Sequence, residues 1–456
     1  MSTQAQNPKV RDALAFLEKF TNYERAPQYI YTGQAMNLER VRKLLEAVGS
    51  PEKKLRAVHI AGTKGKGSIA KMINAVLNSA GYRVGLYTSP HLVVKNERIL
   101  VNDEMVSDRE LADAIDALRP GVDAVHAQAE LGEVTYFELI TAAAFFHFAV
   151  KKVDYAVLET GLGGRFDATN VCNPSVVVIT PVSLDHTDIL GDTVAKIASE
   201  KAMIIKQGSK VVVAPQPKDA MAMIEGRGSE MDAQIFPAEK FYQWKMNYIY
   251  PMEMSFDLTG KRNLIGLKTK MIGPHQMQNA ATAVLACDLL SEQGAGVKVS
   301  DDTIRYGLAK TRLAARFQQL EFAGRTVILD GAHNADSAKA LAETLALVYP
   351  GKKFNFMIGM GRDKDIAGFL NEVKPVAKRI VLCRAHHSRA EEPEQMKKYL
   401  ADFSGEVIIQ PEINDALGQI TRLGKPGEVF VITGSFFLIG EAVEWFWEKE
   451  TEIPIP

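Results

Sequence analysis

Short, almost uninterrupted apolar runs rich in β-branched residues recur along the chain: AVHIA (57–61), YRVGLY (82–87), DYAVLE (154–159), SVVVIT (175–180) and KVVVAP (210–215). Between them lie stretches with helical spacing of apolar positions, the first from Ile69 to Ala80. Strands that are apolar throughout, rather than at every second residue, are covered on both faces. The alternation therefore predicts a mostly parallel sheet flanked by helices. From Lys240 to Met271 the pattern changes to aromatic and polar alternation (FYQWKMNYIY, EMSFDL), which predicts a small antiparallel excursion. A long apolar helix runs from Asn279 to about Leu290, followed by the glycine-containing stretch SEQGAGVKVSDD. A second series then begins: RTVILD (325–330), KFNFMIGM (353–360), RIVLC (379–383), EVIIQ (406–410) and EVFVITG (428–434). The expected architecture is two α/β lobes with a cleft between them and a boundary near residues 308–314.

Composition narrows the function. The 456 residues suffice for roughly two to four domains, each with its own core. With 46% hydrophobic and 24% charged residues and a formal net charge of −1, bulk electrostatic capture of nucleic acid or an anionic membrane is not expected. Any anionic ligand must be held by a local site. The polar start MSTQAQNPKVRD lacks the apolar core of a signal peptide, and no apolar run reaches the roughly 18 residues of a membrane span. A cytoplasmic protein is expected. Cys172, Cys287 and Cys383 are widely spaced without a C-x-x-C pair, so neither zinc nor a disulfide framework is indicated.

The local anion site is the segment Gly62-Thr63-Lys64-Gly65-Lys66-Gly67-Ser68, between a buried strand and a helix. A glycine-rich turn there aims backbone N–H groups and a helix N-terminus at phosphate oxygens. Gly65 and Gly67 allow close approach, Lys66 would reach the β- and γ-phosphates of ATP, and the Ser68 hydroxyl could ligate Mg²⁺. The common Walker spacing is not met: Ile60 stands where its first glycine belongs, and Gly67 separates Lys66 from Ser68.

Further motifs follow in order: Y-T-S-P-H-L (87–92), T-Y-F-E (135–138), E-T-G-L-G-G-R-F-D-A-T-N (159–170), L-D-H-T-D-I-L-G (184–191), E-K-A (200–202), H-Q-M-Q-N-A-A (275–281), D-G-A-H-N (330–334) and G-S (434–435). Together with the loop they resemble the folylpolyglutamate synthase/dihydrofolate synthase branch of the Mur ligase superfamily, over about residues 60–440. That resemblance implies an N-terminal P-loop ATPase-like domain over 1–311 and a C-terminal Rossmann-like glutamate-ligase domain over 312–456. The active site would lie in the cleft between them. It implies an ATP-dependent ligase that activates the carboxylate of a folate, or of dihydropteroate, as an acyl phosphate and joins it to L-glutamate. It also implies two Mg²⁺ ions, room for a monovalent cation, and a monomer with no nucleic-acid or membrane partner.

Roles carry over residue by residue. Glu159, closing a buried strand, would hold Mg²⁺ with Ser89 and Ser68. His186 would hold a second, although Mg²⁺ prefers oxygen and Asp185 and Asp188 are nearby donors. Lys201, in the later turns of a helix read over TVAKIASEKAMIIKQG, resembles the lysine that the family converts to a carbamate. That chemistry needs a neutral amine, hence a depressed pKa, whereas its neighbours Lys196 and Lys206 are expected in solvent. Asn279, Arg316 and Asp330 would contact the nucleotide, with Lys66, Lys201 and His333 carrying the chemistry. Phe137, Phe166 and Tyr136 are candidate pterin neighbours or core residues, and Asp167 and Ser435 candidate substrate contacts. Two departures stand out: Lys64 replaces the usual Asn, and A-A-R-F-Q (314–318) replaces the usual P-G-R-F-E, leaving the conformation around Arg316 open. Rival readings are a ligase acting on a UDP-muramoyl precursor, and a nucleotide switch, which would not need the D-G-A-H-N and Arg316 set.

Overall fold

The structure, a computed structural model, describes residues 7–24, 36–292, 298–449, 451 and 453–454. Part of the glycine-containing stretch after the long helix, residues 293–297, lies outside the described residues. The N-terminal lobe is built on an eight-stranded sheet of β1 (Ala57–Ala61), β2 (Val84–Tyr87), β3 (Ile99–Val101), β4 (Glu104–Met105), β5 (Tyr155–Glu159), β6 (Pro174–Ile179), β7 (Lys210–Val213) and β8 (Gln234–Pro237). Their order is β4-β3-β2-β5-β1-β6-β7-β8. All pairings are parallel from β2 to β8, and only the short β3 and β4 are antiparallel. β1, β5 and β2 are buried at every position, as strands covered by helices on both faces must be.

The antiparallel excursion is present as β9 (Tyr242–Ile249), β10 (Met254–Gly260) and β11 (Leu264–Thr269), a three-stranded sheet in the order β11-β10-β9. Helix His275–Ser291, buried on nearly every face, follows; helix Asp301–Lys310 then leads to the linker.

The second lobe comprises β12 (Gln318–Phe322), β13 (Arg325–Asp330), β14 (Phe354–Ile358), β15 (Ala377–Arg384), β16 (Glu406–Glu412) and β17 (Val429–Thr433). Their order is β12-β13-β17-β14-β15-β16, parallel except for β12 against β13. Among the described residues no helix is long and apolar enough to cross a membrane.

Two local expectations are corrected. The helix expected across TVAKIASEKAMIIKQG ends at Ala202, so Lys201 lies in its last turn. Lys206 lies beyond that helix, half-buried, with its ammonium donating to Asn170 O at 3.3 Å, so it is not a solvated helix lysine. Lys196 is exposed as expected.

Candidate active site

Loops that leave the carboxyl ends of β1, β2, β5 and β6 collect at one edge of the first sheet, where ligands of open parallel sheets bind. The register places Ile60 beside Glu159, which brings the phosphate loop against the carboxylate that closes β5. Gly62 has φ +150°, and a Cβ there would lie 1.8 Å from Thr180 Oγ1, so no other residue fits without displacing β6. Gly65, at φ +81°, packs as closely on Asn279: a Cβ would come within 2.8 Å of its Oδ1. Asn279 is itself held by donating to Gln276 Oε1 at 2.9 Å.

The backbone N–H groups of Thr63 and Lys64 both donate to Pro181 O, at 3.0 and 3.2 Å, and so brace the loop. The cradle is therefore the start of helix Lys66–Ser79. Its first intrahelical bond is Ile69 N–H to Gly65 O at 2.9 Å, and the N–H groups of Lys66, Gly67 and Ser68 precede it. Such a turn, at the positive end of the helix dipole, binds anions.

Glu159 is 5% exposed and accepts the Ser89 backbone N–H at 3.3 Å. Burial raises its pKa, and the nearby charge of Lys66, the Ser89 bond and Arg316 only partly offset that. A buried carboxylate short of positive charge is a natural seat for a hard cation. Ser68 lies in the first turn of helix Lys66–Ser79, and Ser89 on the loop after β2. The donor set fits Mg²⁺, which takes one or two carboxylates and fills the remaining positions with phosphate oxygens and water.

The S-P-H loop contains a cis Ser89–Pro90 peptide. Glu97 pins it by accepting the N–H groups of Leu92, Val93 and Val94 at 2.7, 2.7 and 2.6 Å. Buried Arg98 donates to His91 Nδ1 at 2.8 Å and to Glu24 Oε1 at 3.0 Å.

Lys201 is 5% exposed, at the end of helix Val194–Ala202. That helix packs so tightly on Gly164 that a Cβ there would sit 2.7 Å from Glu200 O, and Arg165 ties it further through Glu200 at 2.9 Å. Burial and the Lys66 charge push the Lys201 amine down to about 7, against the pull of Asp185 and Asp167.

The second lobe supplies the opposite wall. β13 ends at Asp330, whose carboxylate accepts the N–H groups of Phe317 and Ala332 at 2.8 and 3.0 Å and so shapes the linker and the turn after it. His333 Nδ1 donates to Gly331 O at 2.8 Å, which leaves Nε2 facing Asp185 Oδ2 of the first lobe at 3.7 Å. The Arg316 guanidinium lies over the Phe436 ring at 4.9 Å. Ser435 lines the cleft, but its hydroxyl caps helix Phe436–Glu448 by accepting the Leu438 N–H at 3.0 Å.

One cavity of about 310 Å³ unites these walls. It is lined by Thr63, Lys66, Gly67, Ser89, Glu159 and His186 from the first lobe and by Arg316, His333 and Ser435 from the second. Gly62, Gly65, Ser68, Asn279, Lys201 and Asp330 do not line it; Ser68, Asn279 and Lys201 are buried, Gly65 packs on Asn279, and Asp330 holds the linker that carries Arg316. Phe137 and Asp167 line a smaller adjoining recess with Phe166 and Gly161. The Asp167 carboxylate is occupied there by the N–H groups of Gly161, Leu162 and Thr169 and the Thr169 hydroxyl. Tyr136 is a core residue, 1% exposed, and Asp188 faces solvent.

Motif matching passed over Lys364 and Glu97, and offered Asp185 only as an alternative metal donor beside His186. Asp185 meets Lys364 Nζ at 3.2 Å across the cleft. Burial works against its charge, but the His333 ring, His186 and Lys364 outweigh that and hold it far below the usual carboxylate range. Its place beside His186 in the D-H motif was the available signal; Lys364 had none, because its partner is 179 residues away.

A phosphate loop on one α/β lobe, facing an arginine and a histidine from a second lobe, defines an ATP-dependent ligase. The model of the Mur ligase middle domain matches residues 60–287, and that of the Mur ligase glutamate ligase domain matches 315–436. A dihydrofolate synthase/folylpolyglutamate synthase of Bacillus subtilis is 34% identical over 431 residues, covering 92% of this chain and 98% of that protein. The folylpolyglutamate synthase of Lacticaseibacillus casei is 30% identical, covering 91% and 97%. Among solved structures, Mycobacterium tuberculosis folylpolyglutamate synthase complexed with ADP and AMPPCP superposes with a TM-score of 0.86 at 29% identity, covering 96% of this chain and 98% of that one. E. coli FolC in complex with DHPP and ADP gives 0.83 at 27% identity, covering 98% and 100%. The chain belongs to the Mur ligase family, in its folylpolyglutamate synthase/dihydrofolate synthase branch.

Proposed function

We propose that the protein joins L-glutamate to a folate, and to dihydropteroate as well, with ATP as the phosphoryl donor, acting as a cytoplasmic monomer of two lobes, residues 1–311 and 312–456. The observation that carries this is the single cleft in which Lys66 and Glu159 of one lobe face Arg316 and His333 of the other.

ATP phosphates rest on the N–H groups at the start of helix Lys66–Ser79, with the Lys66 ammonium on the β- and γ-phosphates. Asn279 and Asp330 flank the nucleoside side. The substrate carboxylate attacks the γ-phosphorus, the bond to the ADP oxygen breaks, and an acyl phosphate forms. Lys66 and Arg316 stabilise charge on the moving phosphoryl group. Glu159, Ser68 and Ser89 would hold one Mg²⁺, and His186 a second. When bound, Mg²⁺ neutralises phosphate oxygens and orients the transfer. A monovalent cation belongs to the same family expectation.

The second half of the reaction needs a neutral amine. His333 Nε2 faces the cleft because Nδ1 is engaged by Gly331 O, and it accepts a proton from the glutamate ammonium. The amine then attacks the acyl carbon and phosphate leaves, giving the amide. Lys201, whose amine burial pushes down to about 7, would take up CO₂ in its neutral form as a carbamate with release of a proton, and so place an anion near His186, the residue that would hold the second Mg²⁺. The recess at Phe137 and Phe166 offers aromatic faces to a flat heterocycle.

The test is ATP-dependent phosphate release with Mg²⁺ and L-glutamate, comparing dihydropteroate with tetrahydrofolate. Stimulation by both is expected. Stimulation by tetrahydrofolate alone restricts the enzyme to polyglutamylation, and stimulation by neither removes the folate substrate.

A further inference from the structure

Lys64 stands where the family's usual loop residue is Asn, and its side chain does not turn into the phosphate cradle. Its Nζ crosses the cleft to Asp336 Oδ2 at 2.6 Å. At the near end, the Lys64 N–H is anchored on Pro181 O. At the far end, Asp336 lies in the first turn of helix Ala335–Val348, whose start is fixed by reciprocal bonds between Asn334 and Ser337. That turn follows His333 directly. The ion pair therefore links the phosphate loop, just before Lys66, to the segment that carries His333.

Other contacts also hold the lobes together near the cleft. Lys364 meets Asp185 at 3.2 Å, with His333 facing the same carboxylate, the Arg389 guanidinium donates to Glu24 O, and Gly440 packs on Leu92 so closely that a Cβ would fall 2.2 Å from its carbonyl oxygen. None of these touches the phosphate loop. The Lys64 and Asp336 side chains are 30% and 64% exposed, and such a pair contributes at most about 1 kcal/mol. That is too little to hold a fold together, but it shifts an open–closed equilibrium about fivefold.

We infer that Lys64 is a positioning residue whose ion pair with Asp336 biases the lobes toward the arrangement in which His333 and Arg316 face the phosphate loop. This rests on the ligase reading above. The acyl phosphate is open to water until the lobes close, so weakening closure raises hydrolysis relative to amide formation. Breaking the pair thus uncouples ATP use from ligation, an effect that a purely structural contact would not have.

The experiment compares wild type, Asp336→Asn, Lys64→Glu and the swapped double variant Lys64→Glu/Asp336→Lys. The ratio of phosphate released to amide formed is expected to rise about threefold in each single variant and to return toward wild type in the swap. In parallel, spin labels at Met223→Cys and Tyr399→Cys, exposed positions on the two lobes, report the interlobe distance with β,γ-methylene-ATP bound. The three native cysteines are buried and do not compete for label. The distribution is expected to shift to longer distances in Asp336→Asn and recover in the swap. Raising salt should mimic Asp336→Asn in the wild type and leave that variant unmoved. An unchanged ratio and distance distribution in Asp336→Asn, or a swap that restores neither, overturns the inference. If wild type forms no amide with any folate, the substrate reading fails, and the distance measurement still decides the role of Lys64.

Discussion

The phosphate loop and the linker that carries Arg316 border the same cleft and both enter the left-handed region of backbone space, yet they reach it by opposite means. The loop uses glycine: Gly62 and Gly65, at φ +150° and +81°, sit where a side chain would strike Thr180 or Asn279. The linker has Ala315 at φ +56° and Phe317 at +48°, with Ala315 standing where the family usually has glycine. An L-residue in that region costs roughly 1–2 kcal/mol. Hydrogen bonds offset the cost: Ala315 N–H donates to Gln318 Oε1 at 3.0 Å, Ala315 O accepts from Gly331 N–H at 2.8 Å, and Phe317 N–H donates to Asp330 at 2.8 Å. The loop is shaped by the side chains it lacks; the linker is held in a costly shape by the D-G-A turn. Arg316 is thereby placed by the same segment that places His333.

The comparison breaks hardest on the loop side. Glu159→Gln keeps the shape of a buried side chain but removes its charge, and turnover should fall about 100-fold with a raised Mg²⁺ requirement. A Mg²⁺ titration of phosphate release checks this, and an unaltered metal requirement would remove Glu159 from the metal site. Gly62→Ala forces the loop off β6, and the affinity for ADP should drop about 30-fold, equivalent to about 2 kcal/mol of backbone strain. Calorimetric titration measures it; wild-type affinity would mean that the loop tolerates a Cβ.

Behind the loop, the Lys201 amine titrates near 7 in the folded chain, against 10.5 as its ordinary value. Between those values only the unfolded chain holds the proton, so stability should rise with pH across that window. In CO₂-free buffer, Lys201→Met should flatten the slope; equal slopes in both proteins would contradict the buried amine. The smallest effect sharpens the linker side. Ala315→Gly relieves the left-handed alanine while loosening the unfolded chain, for a net gain of about 0.5 kcal/mol. A lower midpoint of thermal unfolding would show that Ala315 is not strained.

The two sheets were legible because their strands are continuous apolar runs, and the antiparallel excursion because its alternation differs. Motif order also pointed to the residues on both walls of the cleft. Other features depend on contacts between distant segments. Lys64 and Asp336 are 272 residues apart, and nothing local to either announces the pair. Asp167 borders the smaller recess, but nothing in its motif announces that its carboxylate is filled by the loop it caps. The helix carrying Lys201 was read too long because MIIKQG continues the apolar spacing, although the chain turns away after Ala202 to enter β7. The linker's conformation could not be read, since alanine and phenylalanine rarely adopt it without the partners that the second lobe provides.

Acyl-phosphate formation is the step on which the ligase account stands, and oxygen transfer tests it most directly. Tetrahydrofolate or dihydropteroate labelled with ¹⁸O in its carboxylate, incubated with ATP, Mg²⁺, L-glutamate and the enzyme, should deliver one labelled oxygen to each phosphate released with amide formation. Phosphate that carries oxygen only from ATP and water, in the presence of amide product, would contradict it.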